Sequence, residues 1–347
     1  MRLFLLLFLP LLLSKCETND LQQAVDLPHE AYGDNKPMEG VTFVAPPRPF
    51  PEPPMPPIQE VGADWIAIVP YAFTRQGQPN VFYGSDRQWW GERIVGIEET
   101  IKQARQADIQ VLLKPQVYVP GSWTGDLTFS TAAEWEKWEA EYTDYILRMA
   151  TLAEAQTVAL LCVGTEFKKG VVERTAFWHE LIQKVREVYS GKLVYAANWD
   201  AYQNVSFWRD LDYIGINAYF PLDPETTPSV AVLKKAWLPV FKEIQDYQRN
   251  IGRPVIFTEF GYLSVDGSAY NTWELEGKVK SLPINEQAQA NAYQALFETF
   301  WKADWWHGGF VWKWFPNMEG GEGYNDRDYT PQGKKGEETL QTWYTDR

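Results

Sequence analysis

Val255-Ile256-Phe257-Thr258-Glu259-Phe260-Gly261-Tyr262 is an apolar run that ends in one acidic residue and then glycine. Its β-branched and aromatic residues, bounded by Pro254 and Gly261, have the pattern of a short strand buried on both faces in a parallel sheet. Glu259 is expected at the C-terminal end of that strand. Burying an unpaired charge is strongly unfavourable, so this carboxylate is either salt-bridged inside the sheet or used in chemistry. A second stretch, Thr157-Val158-Ala159-Leu160-Leu161-Cys162-Val163-Gly164-Thr165-Glu166-Phe167, has the same form. Two carboxylates at the ends of two strands, about three βα units apart, are a candidate pair for acid chemistry.

Working outward, short apolar runs alternate with longer amphipathic stretches from Gly40 onward, the signature of βα repeats and a parallel sheet. Eight strands are predicted at 41–44, 65–70, 110–113, 158–163, 193–197, 213–217, 255–258 and 309–312. The clearest helical patterns cover 92–107, 131–155, 237–247, 286–303 and 337–344, and the second opens with a Thr131-x-x-Glu134 capping box. A proline-rich segment, 46–57, reads as an extended loop where a helix would be expected. No glycine-rich phosphate loop follows any strand, so the pattern fits a single (β/α)8 TIM barrel over 39–347 better than two doubly wound domains.

The segment before the barrel reads differently. Met1 to Leu13 carries one positive charge, Arg2, and an apolar run too short to span a bilayer, so 1–15 is expected to be a signal peptide. Leu13-Ser14-Lys15-Cys16 resembles a bacterial lipoprotein processing site, with Lys15 where a small residue is usual. The resemblance implies lipidation at Cys16 and a polar tether over 16–38. The implied location is the cell envelope, as an outer-membrane lipoprotein, and otherwise the periplasm or the medium. Any membrane contact is expected only through that lipid.

The 347 residues carry a net charge of −14, which would repel a polyanion and argues against a nucleic-acid partner. Cys162 lies in a predicted buried strand and reads as a small core residue, and the three histidines, His29, His179 and His307, are far apart, so no cofactor or metal is expected. Seventeen tryptophans stand beside eighteen tyrosines and eighteen phenylalanines. Flat rings of this kind fill cores or form platforms for the apolar faces of sugars, and composition alone leaves both uses open. The oligomeric state is taken as monomeric by default.

In a barrel of this class the active site lies where the strands end, so the residues just past each strand should look chemical. They do: Lys114-Pro115-Gln116, Gly164-Thr165-Glu166, Asn198-Trp199-Asp200, Asn217-Ala218-Tyr219, Glu259 and Trp312-Lys313-Trp314. Amides, aromatics and two glutamates converge on one mouth. Lys114 reads either as a contact to a substrate hydroxyl or as the partner of an acidic neighbour. Trp89, Trp90, Trp123 and Trp273 are further platforms or packing residues. Long loops at 118–129, 221–228, 265–283 and 317–330 are expected to carry specificity.

Glutamates ending the fourth and seventh strands of an eightfold barrel resemble clan A of the glycoside hydrolases. Gly164-Thr165-Glu166-Phe167, Tyr213-Ile214-Gly215-Ile216-Asn217-Ala218-Tyr219-Phe220-Pro221, Thr258-Glu259-Phe260-Gly261-Tyr262 and Gly309-Phe310-Val311-Trp312-Lys313-Trp314 together resemble glycoside hydrolase family 113. The resemblance implies a retaining mechanism with Glu166 as general acid/base and Glu259 as nucleophile, and a β-1,4-mannan or mannooligosaccharide substrate cut internally. Tyr219 stands where clan members often carry a tyrosine that hydrogen-bonds the nucleophile, and otherwise reads as a rim aromatic. Trp312, with Trp314 as the fallback, reads as the floor of the sugar site, and otherwise both read as core or rim residues. Much of the clan has asparagine before the acid/base to hold the sugar 2-hydroxyl. Here that residue is Thr165, and Asn198 and Asn217 are the replacement candidates, each of which also reads as a strand-end cap. An exo-β-mannosidase or another clan A β-glycanase would need only different loops. A surface glycan-binding lipoprotein without turnover would use the same aromatics, but it has no need of two carboxylates at one sugar.

Overall fold

The computed structural model describes residues 36–316 and 326–345, so Cys16, the signal peptide and nearly all of the tether lie outside the described residues, as does 317–325 of the last loop. Eight parallel strands close into a barrel in the order β1-β11-β10-β9-β8-β7-β5-β2. They are β1 (Met38–Phe43), β2 (Trp65–Ile68), β5 (Gln110–Leu113), β7 (Leu160–Thr165), β8 (Lys192–Asn198), β9 (Tyr213–Asn217), β10 (Val255–Phe260) and β11 (Trp306–Trp314). This is the (β/α)8 TIM barrel expected from the alternating pattern. Every strand contributes to the lumen, with Met38, Ala67, Leu112 and Cys162 on one half and Val194, Tyr213, Ile256 and Phe310 on the other. The opposite faces meet the surrounding helices in a larger aromatic layer that includes Trp138, Trp178, Trp208, Trp237 and Trp314. Much of the tryptophan content is therefore core, and stacked or edge-on ring pairs add to its packing.

The helices start and stop for local reasons. Thr131 caps the helix Ala132–Ala155 by accepting from the Glu134 N–H at 3.2 Å, while the Glu134 carboxylate accepts from the Thr131 N–H at 2.9 Å. That reciprocal pair satisfies two helix-end donors that would otherwise be unpaired. Ser229 caps the helix Val230–Ile251, which runs several residues beyond both predicted ends and stops at Gly252 in the left-handed region. The proline-rich segment is free of helix and strand over 46–55, as expected, and its last two residues open a short helix, Pro56–Glu60. Proline tolerates the first turn because its missing N–H would be unpaired there.

Two features depart from the expected pattern. Three further strands, β3 (Tyr71–Arg75), β4 (Gln78–Phe82) and β6 (Gln116–Tyr118), form a small sheet in the order β4-β3-β6 beside the barrel mouth. Its hairpin turns at Gln76-Gly77, and the flanking runs are too short and mixed to show a strand period. The second departure is that three barrel strands, β7, β10 and β11, extend two residues further at their C-terminal ends than predicted, and each carries a register irregularity there. In β7 the shift lies between Cys162 and Thr165, in β10 between Phe257 and Glu259, and β11 gains a residue against β1 between Val311 and Trp314. Such bulges reverse the in/out alternation and re-aim side chains.

Candidate active site

Each bulge turns a functional side chain toward the barrel mouth. Phe257 faces the helix layer, so strict alternation would send Glu259 the same way; the extra residue of β10 brings it to the mouth instead. Glu259 thus sits inside the strand rather than after it. The chain then passes so close to Trp312 that a Cβ at Gly261 would lie 2.3 Å from the Trp312 carbonyl oxygen, which only glycine allows. In β7, Val163 and Gly164 both face the helix layer, and a Cβ at Gly164 would meet the rings of Trp178 and Tyr195 within 3 Å. Glu166 follows in the left-handed region with φ of 59°, a conformation that costs a non-glycine residue of order 1 kcal/mol or more and clusters at functional sites. The β11 bulge separates the two tryptophans. Trp312 faces the mouth, beside the non-proline cis peptide Trp312–Lys313, whereas Trp314 is buried in the helix layer and is absent from the cavity. Trp314 as a sugar contact is corrected accordingly.

Glu259 is held by three elements. The fully buried Lys114, at the end of β5, ion-pairs with Oε1, and the Gln116 side-chain amide donates to the same oxygen at 2.9 Å. The Tyr219 hydroxyl donates to Oε2 at 2.9 Å. Lys114 is therefore the partner of an acidic neighbour, and its ammonium also stands 5.9 Å from the centre of the Trp312 ring. Burial, followed by the charge of Glu259, raises the Tyr219 phenol well above its ordinary range, so it stays a donor.

Among the described residues, the Glu166 carboxylate has only neutral donors as its direct hydrogen-bond partners. The Trp123 indole N–H reaches Oε2 at 2.8 Å and the Asn217 amide reaches Oε1 at 2.9 Å. The Thr258 hydroxyl donates to Asn217 Oδ1 at 2.8 Å, which turns the amide nitrogen toward Glu166. Burial first, and then the charge of Glu259, push the Glu166 carboxyl above the usual carboxylate range. The Trp123 and Asn217 bonds and the Lys114 charge oppose that rise without cancelling it.

Both glutamates line one cavity of about 570 Å³. Trp312, Trp123 and Tyr219 stand around them, and Trp199 and Trp273 form a stacked pair on its wall with centroids 5.7 Å apart. Tyr329 also lines the cavity and donates to Glu276 at 2.8 Å. Asn198 lines it too, with its amide bonded to Asp200 at 2.8 Å. Asn217 is not on the cavity wall. Its polar atoms are committed to Glu166 and Thr258, while the Thr165 hydroxyl is turned toward the Pro115 carbonyl. A polar pair of carboxylates walled by flat rings is suited to holding and protonating a sugar acetal.

A family model described as Glycoside Hydrolase Family 113 matches residues 52–334. The chain belongs to glycoside hydrolase family 113. It is therefore an enzyme that hydrolyses glycosidic bonds, and its substrate is an oligosaccharide or polysaccharide. The fold is similar to that of a family 113 β-mannanase from Alicyclobacillus acidocaldarius, at 23% identity and a TM-score of 0.79, over 91% of this chain and 99% of that one. A family 113 β-1,4-mannanase is similar at 25% identity and a TM-score of 0.76, over 90% of this chain and all of the other. A family 5 mannosidase from Rhizomucor miehei shares the fold at 9% identity and a TM-score of 0.65. No protein of curated function matches the chain.

Of the residues picked out from sequence, Glu166, Glu259, Tyr219, Trp312, Trp199 and Asn198 meet at the family 113 cavity, with Lys114 and Asn217 directly behind the carboxylates. Gln116 was visible in the Lys114-Pro115-Gln116 strand end, yet nothing in its spacing pointed to Glu259. By sequence Trp123 is a platform or a packing residue; in the fold it directly precedes the short 3-10 turn Thr124–Asp126 and donates to Glu166, a contact with no signal in its local pattern.

Proposed function

We propose that this enzyme cleaves β-1,4-mannan or mannooligosaccharides internally, by double displacement. Glu259 attacks the anomeric carbon as the glycosidic C–O bond breaks, and Glu166 gives its proton to the departing oxygen. The ester to Glu259 removes the negative charge that raises the Glu166 carboxyl, so Glu166 can now take a proton from water. That water attacks the anomeric carbon, Glu259 leaves as carboxylate, and the β-configuration is retained. The observation that carries this reading is the asymmetry of the pair: Glu259 is matched by a buried ammonium, while Glu166 has neutral donors and a raised affinity for its proton. The mannan part rests on the solved family 113 relatives, which are β-mannanases.

Time-resolved proton NMR with β-1,4-mannohexaose tests it. The expected first product is the β-anomer, with di-, tri- and tetrasaccharides formed together. An initial α-anomer would overturn the double displacement, release of mannose alone would overturn internal cleavage, and preference for a gluco- or galacto-configured chain would overturn the substrate.

A further inference from the structure

The small sheet β4-β3-β6 has two unlike faces. One packs on the helix Ala132–Ala155. Ala72, Thr74, Val81 and Val117 are buried there, the Trp138 indole donates to the Thr74 hydroxyl at 3.1 Å, and the Glu141 carboxylate accepts from the Val81 N–H at 2.7 Å. The other face is open, and pairing in register places its residues in rows. Tyr71 is opposite Gln116, the residue that donates to Glu259. Phe73 is opposite Tyr118 on one side and Phe82 on the other, so three rings from three strands form the next row on the same face. The Phe73 and Tyr118 rings meet edge to face with centroids 6.0 Å apart.

These rings are not core residues that happen to reach the surface. Phe82 is 58% exposed, Tyr118 51% and Trp89 45%. Phe73, Phe82 and Trp89 line a groove of about 340 Å³ whose edge carries Arg87, Gln88 and Glu92. Flat rings bordered by donors and acceptors match the apolar face and hydroxyl rim of a sugar. The open face begins beside the catalytic centre: Gln116, which donates to Glu259, is followed two residues on by Tyr118, whose ring meets Phe73 of the groove. The stacked Trp199 and Trp273 lie in the cavity formed largely by the later strands, whereas this face is built on chain that follows β2 and β5.

We infer that the open face of β4-β3-β6 is a second glycan platform, which holds a stretch of the same polysaccharide beyond the sugars in the cavity. The inference rests on the polysaccharide reading of the active site. It predicts that the platform matters for long chains and not for short ones that end before they reach it.

The test is a Phe82→Ala/Trp89→Ala/Tyr118→Ala variant, checked for native circular dichroism and melting and compared with wild type on soluble β-1,4-mannan and on mannotetraose. The ratio of kcat/KM for polymer over tetraose should fall about tenfold, mainly through KM. Retardation in a mannan-containing native gel should fall with it, and both proteins should sediment as the same species. An unchanged ratio and unchanged retardation in a folded variant would overturn the platform. So would a wild-type dimer that the variant breaks with the ratio unaltered, since the face would then be a self-association surface. If wild type cleaves another β-glycan instead of mannan, the substrate reading fails by itself, and the same ratio on that glycan decides the platform.

Discussion

The surroundings of Glu259 and of Glu166 are built from opposite materials. Around Glu259 are a buried ammonium, an amide and a phenol brought by β5, β6 and the segment after β9. Around Glu166 are an indole and an amide without formal charge, and burial together with the charge of its partner favours its protonated form. Two identical side chains thus receive different work from their neighbours alone. In the proposed double displacement the ion-paired carboxylate is the one that attacks, and the one that desolvation and a like charge favour in its protonated form is the one that donates.

The largest expected effect separates the two directly. Glu259→Ala should lower kcat by about 10⁴-fold or more on every substrate, because the proposed covalent step cannot form without this carboxylate. Glu166→Ala should cost about 10² to 10⁴-fold on mannan, the range of general acid–base catalysis. On an aryl glycoside whose leaving group needs no proton, Glu166→Ala should form the glycosyl-enzyme in a rapid burst and then stall. Equal losses for both variants on that substrate, with no burst, would contradict the division of roles.

A smaller effect reports on the Glu259 side. Tyr219→Phe removes one hydrogen bond to a charged oxygen and should lower kcat by about 10 to 100-fold, with little change in KM. A change confined to KM would show that Tyr219 serves binding rather than the carboxylate. The smallest effect reports on the Glu166 side. The Trp123 indole N–H favours the ionised form of Glu166, so Trp123→Phe removes that bond and raises its pKa further. The acid must be protonated to act, so activity is lost as pH rises through that pKa, and the basic limb of the kcat/KM profile should move to higher pH. The cost in kcat at the optimum should stay below about tenfold. Movement of that limb to lower pH would mean that Trp123 acts on Glu166 by some route other than its hydrogen bond.

The sequence by itself determined the barrel. Buried parallel strands and amphipathic helices differ in period and length, so eight apolar runs with helical stretches between them could be read from local pattern. The ends of those strands, to within two residues, and hence the two glutamates and most of the residues near them, followed from the same count. The small sheet could not be read in this way, since β3 and β4 are short and mixed and are held by the helix Ala132–Ala155 beneath them. The tertiary structure alone decided which way each strand-end residue points. A bulge exists only relative to a neighbouring strand: β10 gains a residue against β9, and β11 gains one against β1. These shifts turn Glu259 to the mouth and put Trp312 and Trp314 on opposite sides, a choice that a period of two within one strand does not contain.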